Sequence, residues 1–317
     1  MSQQKLIIGS RGSQLALRQS SWVKQELERA RPDFSITLEI IKTSGDVILD
    51  APLSKIGGKG VFTKEIEEAL LAGKIDLAVH SLKDLPTVLS DGLCLGAVSS
   101  REDARDAFLS NRFRGIHELP AGARIGTSSL RRQSQLFLLR KDLQITNLRG
   151  NLDTRLRKLD EQQYDAILLA CAGLDRLGLG HRITQRIPVD EICPAVGQGA
   201  LVIEIRENDP RVAEVAQLIH SSQAATATMA ERAFLRRLGG GCQVPIAAHA
   251  WETGGVLSML GVVASPDGRT SFRLQEQASP QEPDQLGVRL AEKLLEMGAQ
   301  QIVDEIAGQA LSNPSSH

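Results

Sequence analysis

Short apolar runs alternate with helical stretches along the first eighty residues, and this alternation constrains the fold more than any other feature. Residues 5–8 (KLII) read as a buried strand, and Gln14 to Arg31 has helical spacing that stops at Pro32. Residues 35–42 (SITLEIIK) alternate as a strand, 62–72 (FTKEIEEALLA) read as a helix ended by Gly73, and 75–80 (IDLAVH) read as a strand. Strands and helices in this order indicate a parallel sheet covered by helices.

The order restarts near residue 123. Strands are expected at 123–127, 143–148 and 164–170, with helices at 129–141 and 151–162. Asp103 to Pro120 is expected to cross from the first unit to the second, and the strand at 199–206 to return to the first. A third region begins near 222, with a helix at 224–238, strand-like stretches at 245–263 and 270–278, and helices at 284–297 and 299–310. The expected class is α/β with three domains: 1–100 plus about 198–220, then 101–197, then 221–317.

Composition narrows the function. The 317 residues carry 37 Lys+Arg against 38 Asp+Glu, a balance that argues against general nucleic-acid binding. Aromatic residues make up only 3%, too few for a base-stacking surface. Cys94, Cys171, Cys193 and Cys242 form no CxxC pair, so neither a zinc site nor a disulfide framework is expected. No apolar run approaches the roughly 18 residues of a membrane span, and the N-terminus shows no signal-peptide core. The expectation is a cytoplasmic protein without metal, nucleic-acid or membrane partners.

Chemistry-bearing residues collect where strands end, which is where open parallel sheets bind ligands. Asp84, in Val79-His80-Ser81-Leu82-Lys83-Asp84-Leu85-Pro86, is placed for acid/base work, although the same segment also reads as a solvated polar turn. Basic residues recur in similar positions: Arg11, Lys55 and Lys59, Arg131 and Arg132, Arg149 and Arg155, and Arg176. Thr127, Ser128 and Ser129 suit a helix N-cap, whose free N–H groups favour an anion. Arg forks pair with carboxylates, each such bond contributing about 1.5–3 kcal/mol. Singly, each Arg reads as a solvated surface charge. Together they suggest a polyanionic ligand between domains, carrying phosphates or several carboxylates.

No glycine-rich segment has nucleotide-binding spacing. Gly57-Gly58-Lys59-Gly60 lacks the P-loop pattern and reads as a loop over a cleft or as a plain turn. Gly239-Gly240-Gly241-Cys242 clears space beside a thiol, a strong nucleophile once ionised. The alternative for that segment is a helix end followed by a loop with an incidental cysteine. Cys171, at the end of an apolar strand, reads as core.

Seven segments stand in one register: VHSLKDLP (79–86), REDARDAFLS (101–110), IGTSSLRRQ (125–133), LRGNLDTRLRKL (148–159), YDAILLACAGLDRLGL (164–179), PAVGQGAL (194–201) and GGGCQVP (239–245). In this order they resemble the hydroxymethylbilane synthases, or porphobilinogen deaminases, over nearly the whole chain. The resemblance implies two domains like the lobes of type II periplasmic binding proteins, and a small third α/β domain that carries the cofactor. It implies an enzyme of tetrapyrrole (porphyrin and heme) biosynthesis that joins four porphobilinogen molecules head to tail, each losing ammonia, into linear hydroxymethylbilane.

By matching positions, Cys242 holds a dipyrromethane primer through a thioether. Lys83, Arg131, Arg132 and Arg155 hold primer carboxylates. Ser13, Ser81, Thr127 and Ser129 supply hydrogen bonds, with Gly150 and Gly199 alongside. Arg11, Arg149, Arg155, Arg176 and Ser129 hold the substrate or the growing chain, Lys55 and Lys59 belong to a lid loop, and Asp84 is catalytic. The resemblance also implies a monomer that passes its product to uroporphyrinogen-III synthase. Two positions depart from the family pattern: Gly239 stands where an acidic residue is common, and Gln14 where many members have Pro. The competing readings are a solute-binding or sensor module and a transferase for phosphorylated substrates. The first would be expected to show a signal peptide, a lipid-anchor cysteine or a DNA-binding helix pair, none of which is visible, and the second leaves Cys242 in its glycine setting unexplained.

Overall fold

A computed structural model describes residues 4–47, 62–239 and 245–312, with 46–47 and 307–312 described by backbone alone. By its internal contacts the chain separates into two compact units, one gathering residues up to 102 with 199–225, the other 103–198 with 226 onward.

The first unit is built on a five-stranded sheet in the order Phe34–Ile40, Gln4–Ser10, Leu77–Ser81, Leu201–Arg206, Leu93–Val98. The first three strands run parallel, and Leu201–Arg206 is antiparallel to both of its neighbours. Helices cover both faces of the sheet, so apolar side chains on both faces are buried. Leu6, Ile8, Ile36, Val79 and Ile203 pack with Val23 and Leu27 of helix Gln14–Ala30. Ile7, Ala78 and Leu93 pack with Ile66 and Leu70 of helix Lys64–Leu71 on another cluster.

The second unit holds two sheets. The five-stranded one runs Gln144–Thr146, Arg124–Gly126, Ala166–Ala170, Asp106–Leu109, Gln185–Arg186. Again the first three strands are parallel and the fourth is antiparallel to its neighbours. The two lobes therefore share the strand order second, first, third, then a strand from a crossing segment, which is the lobe type expected of periplasmic binding proteins. The stretch Asp103 to Pro120 is thus more than a connector. It contributes an interior strand, Asp106–Leu109, whose four residues are too few to show a period.

The smaller sheet is antiparallel, in the order Ile246–Thr253, Val256–Ala264, Ser271–Ala278. The stretch expected as one strand-like run from 245 to 263 is a hairpin. Gly254 and Gly255 make its two-residue turn with φ of 59° and 77°, values that favour glycine. Phe234 of helix Ser222–Arg237 and Leu286, Leu290 and Leu294 of helix Pro283–Leu294 bury themselves against Met259 and Val263. No helix among the described residues is long and apolar enough to cross a membrane.

Candidate functional site

In the first unit, the residues singled out by sequence gather at the carboxyl ends of the parallel strands. Arg11 directly follows strand Gln4–Ser10, and its guanidinium lies 4.1 Å from the centroid of the Phe62 ring. Ser13 caps helix Gln14–Ala30, its hydroxyl accepting from Ala16 N–H at 3.4 Å. Ser81 ends strand Leu77–Ser81, and its hydroxyl accepts from Gln19 Nε2 of that helix at 3.0 Å.

A single 3₁₀ turn, Leu82–Asp84, follows. Leu82 is buried and its N–H donates to Ala200 O at 3.0 Å, which pins the turn to the neighbouring strand. Asp84 is left exposed at its end, with Lys83 half-buried beside it. His80, in the same motif, is absorbed by the interior: its Nε2 lies 3.0 Å from the buried Glu204 carboxylate.

Gly199 has a conformational task of its own. Its φ is +97°, and a Cβ there would lie 2.5 Å from the Glu102 carbonyl oxygen. Backbone cannot yield like a flexible side chain, so the position excludes larger residues whatever it binds.

In the second unit, Thr127, Arg149, Gly150 and Arg176 likewise follow the parallel strands. The buried Thr127 hydroxyl accepts from Ser129 N–H at 3.2 Å, and Ser129 caps helix Leu130–Leu139 by accepting from Arg132 N–H at 3.4 Å. The Gly150 carbonyl accepts from Arg155 Nε at 2.8 Å, and the Arg149 carbonyl from Lys158 Nζ at 3.3 Å. Arg176 is the last residue of helix Cys171–Arg176.

Arg131 and Arg132 are buried, with 6% and 7% exposure, so the reading of each as a solvated surface charge does not hold. Both guanidiniums bond to Asp106. Arg131 Nη1 donates to Oδ2 at 2.8 Å and Arg132 Nη2 to Oδ1 at 2.7 Å. Gln198 Nε2 donates to the same Oδ1 at 2.9 Å, and the Cys193 carbonyl accepts from Arg131 Nη1 at 2.7 Å. Burial pushes the Asp106 carboxyl up, but the two guanidiniums outweigh it and hold the group well below the usual carboxylate range.

The charges do not cancel. Among the described residues, Asp106 is the one carboxylate bonded to either guanidinium, which leaves one positive charge over. Arg132 Nε is also buried without a hydrogen-bond partner among those residues. An excess cation and an orphaned donor in a buried place fit a carboxylate-bearing ligand.

Three residues of this cluster were not singled out from the sequence: Asp106, Gln198 and Gln135, whose Oε1 accepts from Cys193 N–H at 2.8 Å. The signal for Asp106 was present, since a charged residue opens an otherwise apolar strand.

Cys171 and Cys193 are buried, and burial pushes both thiols up to about 12, which removes them as nucleophiles at neutral pH. Cys242, Lys55 and Lys59 lie outside the described residues. Gly239 ends the preceding helix with φ of +64°, the left-handed cap conformation that favours glycine. An acidic residue there would be strained.

The family model for "Porphobilinogen deaminase, dipyromethane cofactor binding domain" matches residues 6–214, and that for "Porphobilinogen deaminase, C-terminal domain" matches 225–296. Porphobilinogen deaminase of Syntrophotalea carbinolica is 52% identical over 303 residues, 96% of each chain. That of Pelobacter propionicus is 51% identical over 306 residues, 96% of this chain and 98% of the relative. Among solved structures, a methionine-bound nutrient binding protein from Burkholderia cenocepacia is 13% identical with a TM-score of 0.45, covering 68% of this chain and 92% of that one.

Proposed function

The chain belongs to the porphobilinogen deaminase family, and on that premise we propose that it joins four porphobilinogen molecules head to tail into hydroxymethylbilane, releasing ammonia at each addition. The observation that carries this reading is the buried cluster of Arg131, Arg132 and Asp106, with one positive charge in excess. Porphobilinogen bears an acetate and a propionate, so every ring added brings two carboxylates and needs cationic partners.

A dipyrromethane attached through Cys242 supplies, when bound, the pyrrole carbon on which each addition is made. Arg131 and Arg132 hold its carboxylates with Lys83 and Arg155, while Ser13, Ser81, Thr127 and Ser129 donate hydrogen bonds. Arg11, Arg149 and Arg176 hold the incoming substrate, and Lys55 and Lys59 belong to the lid. Asp84 stabilises the positive charge that develops on the substrate as ammonia leaves. It also relays protons between ring and leaving amine, a role worth about 10²–10⁴-fold. Its exposure at a strand end supports this, because substrate reaches it without displacing core.

The same reading includes a division into three domains at 1–100 with 198–220, 101–197 and 221–317. It also includes a cytoplasmic monomer that passes hydroxymethylbilane to uroporphyrinogen-III synthase.

The intact mass of the purified protein tests the reading. The expected result is an excess equal to two linked pyrrole units, abolished in Cys242→Ala. A fully active protein of unmodified mass would overturn it.

A further inference from the structure

Helix Cys171–Arg176 has six residues. A helix this short has no stability of its own, so what fixes its last residue, Arg176, lies outside it. At its start, Cys171 N–H donates to the Arg105 carbonyl at 3.1 Å. At its end, Arg186 closes a fork on Asp175, with Nη1 donating to Oδ2 and Nη2 to Oδ1, both at 2.8 Å.

Arg186 Nη1 also donates to Asp103 Oδ2 at 2.8 Å. Asp103 is held in turn by Arg105, through Nε at 2.9 Å, Nη2 at 2.8 Å and the backbone N–H at 3.0 Å. Four side chains therefore alternate in charge: Arg105, Asp103, Arg186, Asp175. They tie the residues leading into strand Asp106–Leu109, the strand Gln185–Arg186 and the short helix to one another.

The loop after the helix closes on the same carboxylate. A Cβ at Gly180 would lie 2.6 Å from Asp175 Oδ1. Burial pushes the Asp103 carboxyl up, but the hydrogen bonds from Arg105 and Arg186 bring it down to about 2, so the row stays ionised at neutral pH. Its own charges balance, two against two, which suits a brace better than an anion receptor.

The geometry has a directional consequence. Neighbouring helical residues project about 100° apart. A two-bond fork on Asp175 therefore sets the rotation of the helix about its axis, and with it the direction in which Arg176 leaves. We propose that Asp175 and Arg186, braced by Asp103 and Arg105, are positioning residues that aim Arg176 at a carboxylate of the incoming porphobilinogen. The inference rests on the reading of Arg176 as a substrate-holding residue.

Steady-state kinetics of the primer-loaded enzyme test it, with Arg176→Ala as the reference. Arg186→Met should raise KM for porphobilinogen about tenfold, the equivalent of about 1.4 kcal/mol, with kcat and the primer mass excess unchanged. Arg186→Lys, which keeps the charge without the fork, should recover only part of this. Adding Arg186→Met to Arg176→Ala should raise KM no further. Asp175→Asn, nearly isosteric, should repeat the KM effect and replaces Arg186→Met if that variant does not fold.

A raised KM in Arg176→Ala with normal KM in Arg186→Met and Asp175→Asn would overturn the positioning role and leave the Arg176 reading standing. Additive effects in the double variant would overturn it as well. An unchanged KM in Arg176→Ala would remove the Arg176 reading, and the inference with it.

Discussion

At the residue scale, burial separates Asp106, whose expected role is stability, from Asp84, the residue proposed for the chemistry. Asp106 is wholly buried between two guanidiniums. In Asp106→Asn an amide N–H₂ faces one of the two donors, and both cations lose their counter-charge. The expected loss is about 3–5 kcal/mol in urea unfolding, as for other broken buried pairs. Asp84 is the opposite case. It is exposed, so Asp84→Asn should leave the urea midpoint where it is while kcat falls by about 10²–10⁴-fold. A parallel loss of stability would show that Asp84 holds the turn rather than the transition state. Both residues stand in motifs visible from sequence. Only Asp84 was assigned a role there, because its place after a strand is a local property, whereas the partners of Asp106 come from residues 131, 132 and 198.

At the scale of elements, the caps and the crossing strand carry the predictions. Ser129→Ala removes the N-cap of helix Leu130–Leu139 and should cost about 1 kcal/mol in thermal or urea unfolding. Phe108, fully buried in strand Asp106–Leu109, packs with Ile125, Leu136 and Leu168. Phe108→Ala should cost about 3–5 kcal/mol; a smaller loss would mean that the strand is peripheral to the lobe. The long helices were legible to within a few residues because an apolar face recurs every 3.6 residues over many turns. Helix Gln14–Ala30, for example, was expected at 14–31. Strand Asp106–Leu109 was not legible, since four residues carry no period and its neighbours in the sheet come from 166–170 and 185–186.

At the scale of the whole molecule, carboxylates held by arginines set the response to acid, the half-buried Asp103 and the buried Asp106 among them. Asp103 is held at about 2, against about 3.9 in an unfolded chain. Its pKa is lower in the folded state, so its contribution to stability is complete above about pH 4 and is lost as pH falls toward 2. Asp106 acts in the same direction. Urea midpoints should therefore fall between about pH 4 and pH 2, and Asp103→Asn should flatten that fall. An unchanged slope would show that the row from Arg105 to Asp175 contributes nothing to stability.

The sequence by itself determined the class of fold and the family. Alternating periods, strand-end placement and seven motifs in register are all local or linear properties. The tertiary structure decided which charges answer one another. Arg131 and Arg132 look like surface cations along the chain. They become a buried cluster around one carboxylate only when the strand from Asp106 is threaded into the sheet interior. Coulomb interactions depend on distance in space and on exclusion of water, and neither is written in the spacing of residues along the chain.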